Sequence, residues 1–554
     1  MKHLLPLVTI FILFLNLKKS DAQVLISDEV IASYTTGQID SIYSGIGLPS
    51  GLLPIIYDVD IHKLIYRTSW PNGDSTIASG ALLVPKGFDC ALPMASYQHG
   101  TVLEKEGVPS RNTSEVLLGM FLATDGFIVS MADYLGLGDS PGLHPYQHAG
   151  TEASSAIDML RASREFLVQN NVKRNEQLFL WGYSQGGHST MALHQEIETN
   201  HSDEFTVTAA APMSGPYALS GAQTDMLLSD DPYASPAYLP YLLLGWKQIY
   251  PDLDSIYPFF KPPYDTMLPP LFDGSYSMGY VNSLMPTVPK LIVDSLELER
   301  FIEDSLTHPL RIRLKENDTY RFVPEAPMKM YYCEADEQVV YLNAIEAKAW
   351  FDENNIINVE AINSGVNLDH GGCIVPSMLH AKGWIDDLKK EGDIIIELGI
   401  TGESALNFGD GSAEATVSGG TGTYTYEWST GSVNSSANGL TSGEYHLTVT
   451  DDLGCTEEIS FTVGVGTGIS TYNSESHLTV FPNPFNDVVT FHFTTDFPGE
   501  IVFKLKDIQG RIVGERKAIK GEQIQLDLSH LGVGTYFAEI KTGEIVRRKR
   551  ITKL

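Results

Sequence analysis

Residues 178–187 read LFLWGYSQGG, an apolar run that leads directly into the pattern Gly-x-Ser-x-Gly. The apolar run predicts a buried strand, and the residues after the serine predict a helix. A serine on the sharp turn between such a strand and helix has its hydroxyl exposed above the edge of a sheet. Gly182 and Gly186 suit this crowded turn, because side chains two residues before and after the serine would obstruct it. We therefore predict that Ser184 is a nucleophile; a turn with a purely structural role is the alternative.

The sequence on both sides of this turn alternates between short apolar runs and helical patterns. Such alternation is typical of βαβ units around a parallel sheet, so the sequence predicts the α/β fold class. The first block has predicted strands at Ala78–Val84, Pro93–Gln98, Phe127–Met131, Gln177–Trp181 and Val207–Met213, and predicted helices at Ser114–Thr124, Thr151–Gln169 and Gly187–Thr199. The second block has predicted strands at Met328–Cys333 and Ile357–Ile362, and predicted helices at Asn343–Glu353 and Pro376–Lys390.

Residues 216–326 interrupt this alternation with a proline-rich stretch that also contains many Tyr, Phe, Leu and Met residues. An insertion at this point of the chain would lie over the end of the sheet where the serine is predicted. An apolar, aromatic surface there would favour apolar groups of a bound molecule. We expect an inserted cap, and a purely structural excursion stays open as the other interpretation.

Two further residues are candidates to assist Ser184, because a serine hydroxyl is a weak nucleophile without a base and an acid. Asp336 directly follows a predicted strand and is the predicted acid; Glu334 and Glu337 are the nearby alternatives. His370 is the predicted base, since it lies in the loop before the closing helix, where the adjoining glycines would let its ring turn towards the serine. The chain order serine, acid, histidine is the order that this kind of site uses.

The positions of two cysteines support this pairing of acid and base. Cys333 lies three residues before Asp336, and Cys373 lies three residues after His370. If the two loops meet, a disulfide between these cysteines would hold them together and contribute roughly 3–4 kcal/mol in the chain-entropy model. Two buried free thiols are the alternative. The remaining cysteines are left without an assigned partner: Cys90 and Cys455.

Attack on a carbonyl carbon also needs N–H donors that stabilise the developing negative charge on its oxygen. The backbone N–H of Gln185, directly after the serine, is the first predicted donor. The second predicted donor is the backbone N–H of Thr101, because a His-Gly element after the third strand supplies one in such sites. His99 and Gly100 form that element. We expect a structural rather than a catalytic role for His99.

The amino-terminal residues and the overall charge indicate where the protein works. Residues 1–22 contain the basic Lys2, an apolar run and then small residues, which predicts a signal peptide cleaved before Gln23. A membrane anchor is the alternative, but the run is shorter than the ~20 residues that a spanning helix needs. The formal net charge of −32 argues against binding to nucleic acid or anionic lipid surfaces.

After residue 392 the sequence becomes rich in Gly, Ser and Thr, and helical periodicity disappears. Short alternating runs separated by turn residues predict two small all-β modules with Ig-like sandwich folds. We place the predicted domains at 1–22 (signal peptide), 23–392 (α/β domain), 393–466 (first β module) and 467–554 (second β module). Neither β module has a clustered set of Ser, His and Asp, so no chemistry is assigned to either.

Several motifs together resemble the secretory lipase group of α/β-hydrolases, over roughly residues 50–390. They are Gly182–Gly187, His99-Gly100, Asp133–Gly138, His144–Tyr146 and His370–Cys373. The resemblance implies hydrolysis of carboxylic, especially lipid or acyl, esters by a serine esterase or lipase with no metal or organic cofactor. It also implies that Asp133 and His144 support the site. Related sheets also carry serine peptidases of the prolyl-oligopeptidase type, so peptide hydrolysis is the first alternative.

The C-terminal modules each resemble a known family. Residues 415–463 are similar to the SprB repeat, through Tyr424–Gly431 and Thr450–Thr456. Residues from 478 onwards resemble the type A sorting domain of the type IX secretion system, through Phe481–Phe485, Asp507–Arg511 and Leu531–Tyr536. These resemblances imply a Bacteroidetes-type outer-membrane route that ends at the cell surface or outside the cell, with the secretion machinery as a partner. An inactive surface binding protein is the second alternative for the function.

Overall fold

The computed structural model describes most of the chain from residue 23 onwards. No helix in these described parts is long and apolar enough to cross a membrane. The predicted signal peptide at residues 1–22 lies outside them. The described residues are 23–88, 90–256, 259–304, 306–390, 394–466, 469–473, 478–481, 488–493, 501–507, 511–518, 523–532, 534–542 and 545–553.

A nine-stranded sheet forms the centre of the N-terminal part, in the order β1-β2-β3-β5-β4-β6-β7-β8-β9. The first strands pair antiparallel, and all pairs from β5 to β9 are parallel. The strands are β1 (Leu25–Tyr34), β2 (Val59–Ser69), β3 (Ser75–Pro85), β4 (Leu92–Gln98), β5 (Ile128–Ala132), β6 (Arg174–Tyr183), β7 (Ala209–Met213), β8 (Met328–Cys333) and β9 (Val359–Gly365).

Helices cover both faces of this sheet, which explains why its central strands read as continuous apolar runs. Along β6, Leu178 and Leu180 enter the core on one face, whereas Phe179 and Trp181 enter the core on the other. The helices outside the cap are α1 (Thr36–Gly45), α2 (Glu115–Ala123), α3 (Ala149–Gln169), α4 (Gln185–Asn200), α11 (Leu342–Glu353) and α12 (His370–Leu388). Helices α3, α4 and α11 pack on the first face, and α1, α2 and α12 pack on the second.

The segment between β7 and β8 forms the cap, and it has a core of its own. Buried aromatic and aliphatic side chains such as Tyr241, Trp246 and Phe260 make up that core, which explains the unusual composition of residues 216–326. The segment is held together by short helices and turns rather than by strands of the main sheet. Its helices are α5 (Ala222–Leu228), α6 (Tyr238–Trp246), α7 (Tyr264–Met267), α8 (Met278–Ser283), α9 (Ser295–Glu303) and α10 (Pro309–Glu316).

The first β module consists of a four-stranded and a three-stranded antiparallel sheet, in the orders β13-β11-β10-β16 and β12-β14-β15. Its last strand pairs with β10, so this module extends past the predicted boundary at residue 466. The strands are β10 (Ile394–Thr401), β11 (Gly411–Gly419), β12 (Thr425–Trp428), β13 (Ser436–Leu440), β14 (Gly443–Thr450), β15 (Thr456–Val463) and β16 (Ile469–Asn473).

The second β module also has two antiparallel sheets, in the orders β17-β18-β21 and β20-β19-β22-β23. Together, the α/β sheet and the all-β modules confirm the predicted fold class. The strands are β17 (Leu478–Phe481), β18 (Val488–Phe493), β19 (Ile501–Asp507), β20 (Ile512–Ala518), β21 (Gln523–Asp527), β22 (Gly534–Thr542) and β23 (Ile545–Lys553).

A disulfide joins the first β module to the α/β domain. It links Cys90, just before β4, to Cys455, in the turn between β14 and β15. Beside it, the backbone N–H of Ala91 donates to the carbonyl oxygen of Leu453 at 3.0 Å. The two cysteines that the sequence left unassigned are therefore partners of each other.

Two features of the fold differ from the sequence-based prediction. The antiparallel strands β1 and β2 were not predicted. After Leu25, no residue of β1 is buried, and both strands contain several polar residues, so neither has a continuous apolar run. The closing helix begins at His370 rather than at Pro376, with Asp369 as its N-cap. His370 therefore lies in the first turn of a helix and not in a loop.

Candidate active site

Ser184 lies on a tight turn between β6 and α4, in a backbone conformation that few side chains adopt. Its φ is 61° and its ψ is −122°. Such a conformation costs free energy and persists only where the surrounding structure enforces it. Here the N–H of Ser184 donates to the carbonyl oxygen of Met213 at 2.9 Å, which holds the turn against β7. The turn lifts the hydroxyl to the carboxyl end of the parallel strands.

The predicted requirement for glycine on both sides of Ser184 is visible in the packing. A Cβ on Gly182 would lie 2.5 Å from the carbonyl oxygen of Gly186. A Cβ on Gly186 would lie 1.9 Å from the carbonyl oxygen of Gln98. Both clashes involve backbone atoms, so neither could be relieved by rotation of a side chain.

The ring of His370 lies between Ser184 and Asp336. Its Nε2 is 2.9 Å from Ser184 Oγ, and its Nδ1 is 2.9 Å and 2.8 Å from the two carboxylate oxygens of Asp336. A carboxylate only accepts, so Nδ1 carries the proton and Nε2 is left to accept the proton of the serine hydroxyl. All three side chains are buried. The structure thus brings the predicted nucleophile, base and acid together.

The two glutamates that were alternatives for the acid make other contacts. Glu334 accepts a hydrogen bond from Asn363 Nδ2 at 2.7 Å, and Glu337 accepts one from the backbone N–H of His370 at 2.9 Å. Asp336 is the one of the three that contacts the imidazole ring. Its Oδ1 also accepts from the backbone N–H groups of Gln338 and Val339, which fix the carboxylate in place.

The disulfide predicted from the sequence spacing lies directly behind the acid and the base. The Sγ atoms of Cys333 and Cys373 are 2.03 Å apart, and both residues are buried. Cys333 ends β8 and Cys373 lies in the first turn of α12, so the bridge joins the elements that carry Asp336 and His370. Tyr183 adds a second link, because its hydroxyl donates to the carbonyl oxygen of His370 at 2.6 Å.

The loop after β4 passes beside the serine turn, where the second N–H donor was predicted. A Cβ on Gly100 would lie 3.7 Å from the carbonyl oxygen of Tyr183, which shows how closely this loop approaches. The Oγ1 of Thr101 is 3.1 Å from the hydroxyl of Tyr146. The ring nitrogens of His99 lie 2.8 Å from the carbonyl oxygen of Gly100 and 3.2 Å from that of Asp133, as expected of a structural residue.

Asp133 and His144 are buried behind this loop. Asp133 accepts hydrogen bonds from the Ser79 hydroxyl at 2.6 Å and from the Ser110 N–H at 3.0 Å. Burial raises the pKa of the Asp133 carboxyl. Burial also lowers the pKa of His144 to about 4, so its ring is neutral near pH 7. Both residues contact the backbone near the site: Asp133 accepts from the Ser110 N–H, and His144 Nδ1 lies 2.9 Å from the carbonyl oxygen of Leu135.

Sequence reasoning missed two buried polar residues beneath the serine turn, Glu152 on α3 and His188 on α4. His188 Nδ1 is 2.7 Å from Glu152 Oε2, and neither side chain is exposed. There was little indication of either residue in the sequence, because each is a single polar residue on a buried helix face. Buried helix faces are predicted from their spaced apolar residues, and a single polar residue does not stand out among them.

A cavity opens beneath the cap, close to the loops that carry Thr101 and Asp336. Two of its lining residues connect it to the site: Tyr146 contacts Thr101, and Val339 binds Asp336. Most of the other lining side chains are apolar, including Leu219, Leu239, Leu242, Phe259, Val293 and Leu314. This cavity therefore suits an apolar group.

Comparisons with known proteins show which families three parts of the chain match. Residues 110–392 match the secretory lipase family, residues 408–433 match the SprB repeat, and residues 479–553 match the secretion system C-terminal sorting domain. A search of curated proteins found no match. The sorting domain and the repeat place the protein among those exported to the cell surface or beyond it by the type IX secretion machinery.

Solved structures resemble the α/β domain. A protein from Legionella pneumophila described as a hydrolase is 30% identical with a TM-score of 0.61; the match covers 66% of this chain and 98% of that one. The rice cell wall degrading esterase LipA from Xanthomonas oryzae is 28% identical with a TM-score of 0.57, over 66% of this chain and 97% of LipA. These matches confirm the prediction of an enzyme that hydrolyses esters. The chain belongs to the secretory lipase family.

Proposed function

We propose that this protein is a secreted serine hydrolase that cleaves acyl esters through an acyl-enzyme, with Ser184 as nucleophile, His370 as base and Asp336 as the acid that orients the base. The observation that carries the proposal is the ring of His370, with Nε2 at 2.9 Å from Ser184 Oγ and Nδ1 on the Asp336 carboxylate. That arrangement supplies both the proton acceptor and the correct tautomer that a serine nucleophile needs.

The reaction proceeds in two halves. Ser184 Oγ attacks the ester carbonyl carbon while His370 Nε2 takes the hydroxyl proton, and this proton then passes to the departing alcohol. In the second half, water gives a proton to His370 Nε2 and attacks the acyl carbon. The bond between this carbon and Ser184 Oγ then breaks, His370 returns the proton to Ser184 Oγ, and the carboxylic acid is released. The backbone N–H groups of Gln185 and Thr101 stabilise the negative oxygen in both halves.

The cavity beneath the cap supports an ester with an apolar acyl chain as the substrate. Its walls are largely aliphatic and aromatic, and it adjoins both the oxyanion loop at Thr101 and the acid loop at Asp336. We propose that the acyl chain enters this cavity while the carbonyl carbon of the ester reaches Ser184. The similarity to LipA, an esterase, favours ester over peptide hydrolysis.

The proposal is tested with the exported chain and p-nitrophenyl esters of graded acyl length, with chromogenic dipeptides alongside. We expect ester hydrolysis that Ser184→Ala lowers by about 10⁶ in kcat, as removal of a triad nucleophile does. Ser154→Ala, on α3 and away from the turn, is the matched control and should keep full activity. Cleavage of the dipeptides alone would contradict the ester assignment, and activity that survives Ser184→Ala would contradict the mechanism.

A further inference from the structure

A buried network of polar side chains lies directly beneath the Ser184 turn. It contains Glu152 on α3, Gln185 and His188 on α4, and His144 in the loop before α3, all of them almost completely inaccessible to water. Buried polar groups of this kind are costly unless they are hydrogen-bonded. The hydrogen bonds within the network show which atom of each side chain donates and which accepts.

The side-chain amide of Gln185 is held by two acceptors. Gln185 Nε2 lies 2.7 Å from Glu152 Oε1 and 2.7 Å from His144 Nε2. His144 Nδ1 lies 2.9 Å from the carbonyl oxygen of Leu135, so Nδ1 carries the proton of the ring and Nε2 accepts from Gln185. The Gln185 amide group thus donates both of its hydrogens.

Glu152 also accepts from His188. His188 Nδ1 is 2.7 Å from Glu152 Oε2, and His188 Nε2 is 2.9 Å from the carbonyl oxygen of Asn317. Burial by itself raises the pKa of Glu152, but the neighbouring His188 and the hydrogen bond from Gln185 outweigh it and lower that pKa overall. Glu152 is therefore a carboxylate, and both ring nitrogens of His188 donate.

Gln185 is also the residue whose backbone N–H is proposed to stabilise the reacting oxygen. Ser184, immediately before it, has the unusual φ of 61°, so ordinary helix geometry does not fix the peptide group between the two residues. The side-chain anchor at Glu152 holds the Cα of Gln185 and with it the direction of this N–H. Errors of about 1 Å in such donors are enough to slow a reaction roughly 100-fold.

We propose that Glu152 is a positioning residue for the oxyanion hole, which acts by accepting the side-chain hydrogen bond of Gln185. The proposal rests on the function proposed above. It assigns the effect to the hydrogen bond rather than to the negative charge, since the charge is paired with His188. The negative charge of Glu152 by itself would also repel the negative charge that forms on the carbonyl oxygen of the ester.

The test compares two replacements of Glu152 in the full exported chain. Glu152→Met keeps a side chain of similar length and removes both acceptors. Glu152→Gln can keep both bonds: its oxygen accepts from Gln185, and its amide nitrogen donates to His188 Nδ1 once that ring is neutral and protonated on Nε2 alone. The measurements are kcat and KM on a short p-nitrophenyl ester, and the rate at which a p-nitrophenyl alkylphosphonate modifies Ser184.

We expect Glu152→Met to lower kcat and the phosphonylation rate about 10–100-fold and to leave KM nearly unchanged. The misplaced Gln185 N–H would fail to stabilise the negative oxygen that forms during the reaction, whereas binding of the uncharged ester does not depend on it. Glu152→Gln should stay within about threefold of the wild type, since it keeps the hydrogen bonds. An equal loss in both variants would show that the charge matters and would overturn the proposal. An unchanged kcat in folded Glu152→Met would overturn it as well.

Two further variants keep the outcome decisive if Glu152→Met does not fold. Gln185→Met removes the same contact from the other side, so it should reproduce the loss in kcat; a normal kcat in this variant would overturn the proposal. Asp125→Asn is the control. Asp125 is a buried carboxylate that accepts from Lys382; it lies just before β5, at the end of the parallel strands opposite to Ser184, so this change should leave kcat unchanged. Ser184→Ala separates the two hypotheses, because its activity tests the proposed mechanism whatever Glu152 does.

Discussion

At the scale of single residues, backbone contacts leave no room for a side chain at Gly182 and Gly186, the two positions that flank the Ser184 turn. Gly186 lies against the carbonyl group of Gln98, and the peptide group of Ser184 is held by Met213. Main-chain atoms of neighbouring strands cannot move aside without breaking the sheet. The glycines of the Gly-x-Ser-x-Gly pattern are therefore required by backbone packing, and this requirement made the turn predictable from the sequence.

A prediction at this scale concerns His148, the N-cap of α3. Burial lowers its pKa to about 4, although nearby Glu152 opposes the shift. In the unfolded chain histidine titrates near 6.5, so between about pH 6.5 and 4 the unfolded state binds a proton that the native state does not. Stability therefore falls as the pH drops through this window. At pH 5 the loss from this one group is about 2 kcal/mol.

His148→Asn should remove that loss. Asparagine can still accept the N-cap hydrogen bond that His148 accepts from the Thr151 N–H, but it does not titrate. The measurement is urea unfolding at pH 7.5 and pH 5, followed by tryptophan fluorescence. We expect the difference between the two free energies to shrink by about 2 kcal/mol, and not to shrink in the control His446→Asn at an exposed position. An unchanged difference in the variant would contradict the pKa assignment.

At the scale of elements, helix α12 shows why a helix start is hard to locate in a sequence. The prediction began it at Pro376. Proline is favoured in the first turn of a helix, whereas glycines such as Gly371 and Gly372 disfavour a helix. In the structure Asp369 caps the helix, and its side chain accepts from the N–H of Gly372 at 2.7 Å. Contacts with β8 through Cys373 then outweigh the low helix propensity of the glycines.

The bridge between β8 and α12 carries the second prediction. Replacing both Cys333 and Cys373 by serine should lower the free energy of unfolding by about 4 kcal/mol, because the disulfide closes a loop of about 40 residues in the unfolded chain. We expect a smaller effect on kcat, since Asp336 keeps its bonds to the backbone. Urea unfolding and ester hydrolysis measure the two effects. Equal stability of the variant and the wild type would contradict the bridge.

The cap carries the third prediction. Each CH₂ of the acyl chain that enters the cavity should raise kcat/KM about fourfold, because burying it contributes about 0.8 kcal/mol. Leu239→Trp fills part of the cavity and should shorten the preferred acyl chain while acetate esters are hydrolysed as before. Leu291→Trp, at an exposed position on the cap, is the control. The same chain-length profile in Leu239→Trp and the wild type would show that the acyl chain binds elsewhere.

At the scale of the whole molecule, the first β module is attached to the α/β domain by more than the chain between them. The Cys90–Cys455 disulfide closes a loop of 365 residues. It lies at the turn between β14 and β15, where Asp451 accepts from the N–H groups of Leu453 and Cys455 and shapes the turn that reaches the α/β domain. The module is thus a docked part of the exported enzyme.

This pairing leads to a prediction for peptide mapping. Digestion of the exported protein without reductant should yield one peptide pair linked through Cys90 and Cys455 and another linked through Cys333 and Cys373. Four cysteines allow three pairings, so mass spectrometry can distinguish the expected one from the others. Both linked species should disappear after treatment with dithiothreitol. Cysteines linked in any other combination would contradict the arrangement.

Features that depend on local pattern could be predicted from the amino-acid sequence. The strand–turn–helix around Ser184, the alternation of strands and helices, and the motifs of the three families are all carried by neighbouring residues. The chain order of serine, acid and histidine also predicted His370 as the base and Asp336 as the acid, with Glu334 and Glu337 as alternatives for the acid. Spacing relative to these two residues suggested Cys333 and Cys373.

Features that depend on residues distant in the chain became visible only in the folded protein. The choice of Asp336 over its neighbouring glutamates needed the direction of each carboxylate, and the partner of Cys90 lies 365 residues away. The polar network around Glu152 has no pattern in the sequence, because each member is a single residue on a different segment. Such groups are stable in the core only through hydrogen bonds to one another, and these bonds form only when the chain is folded.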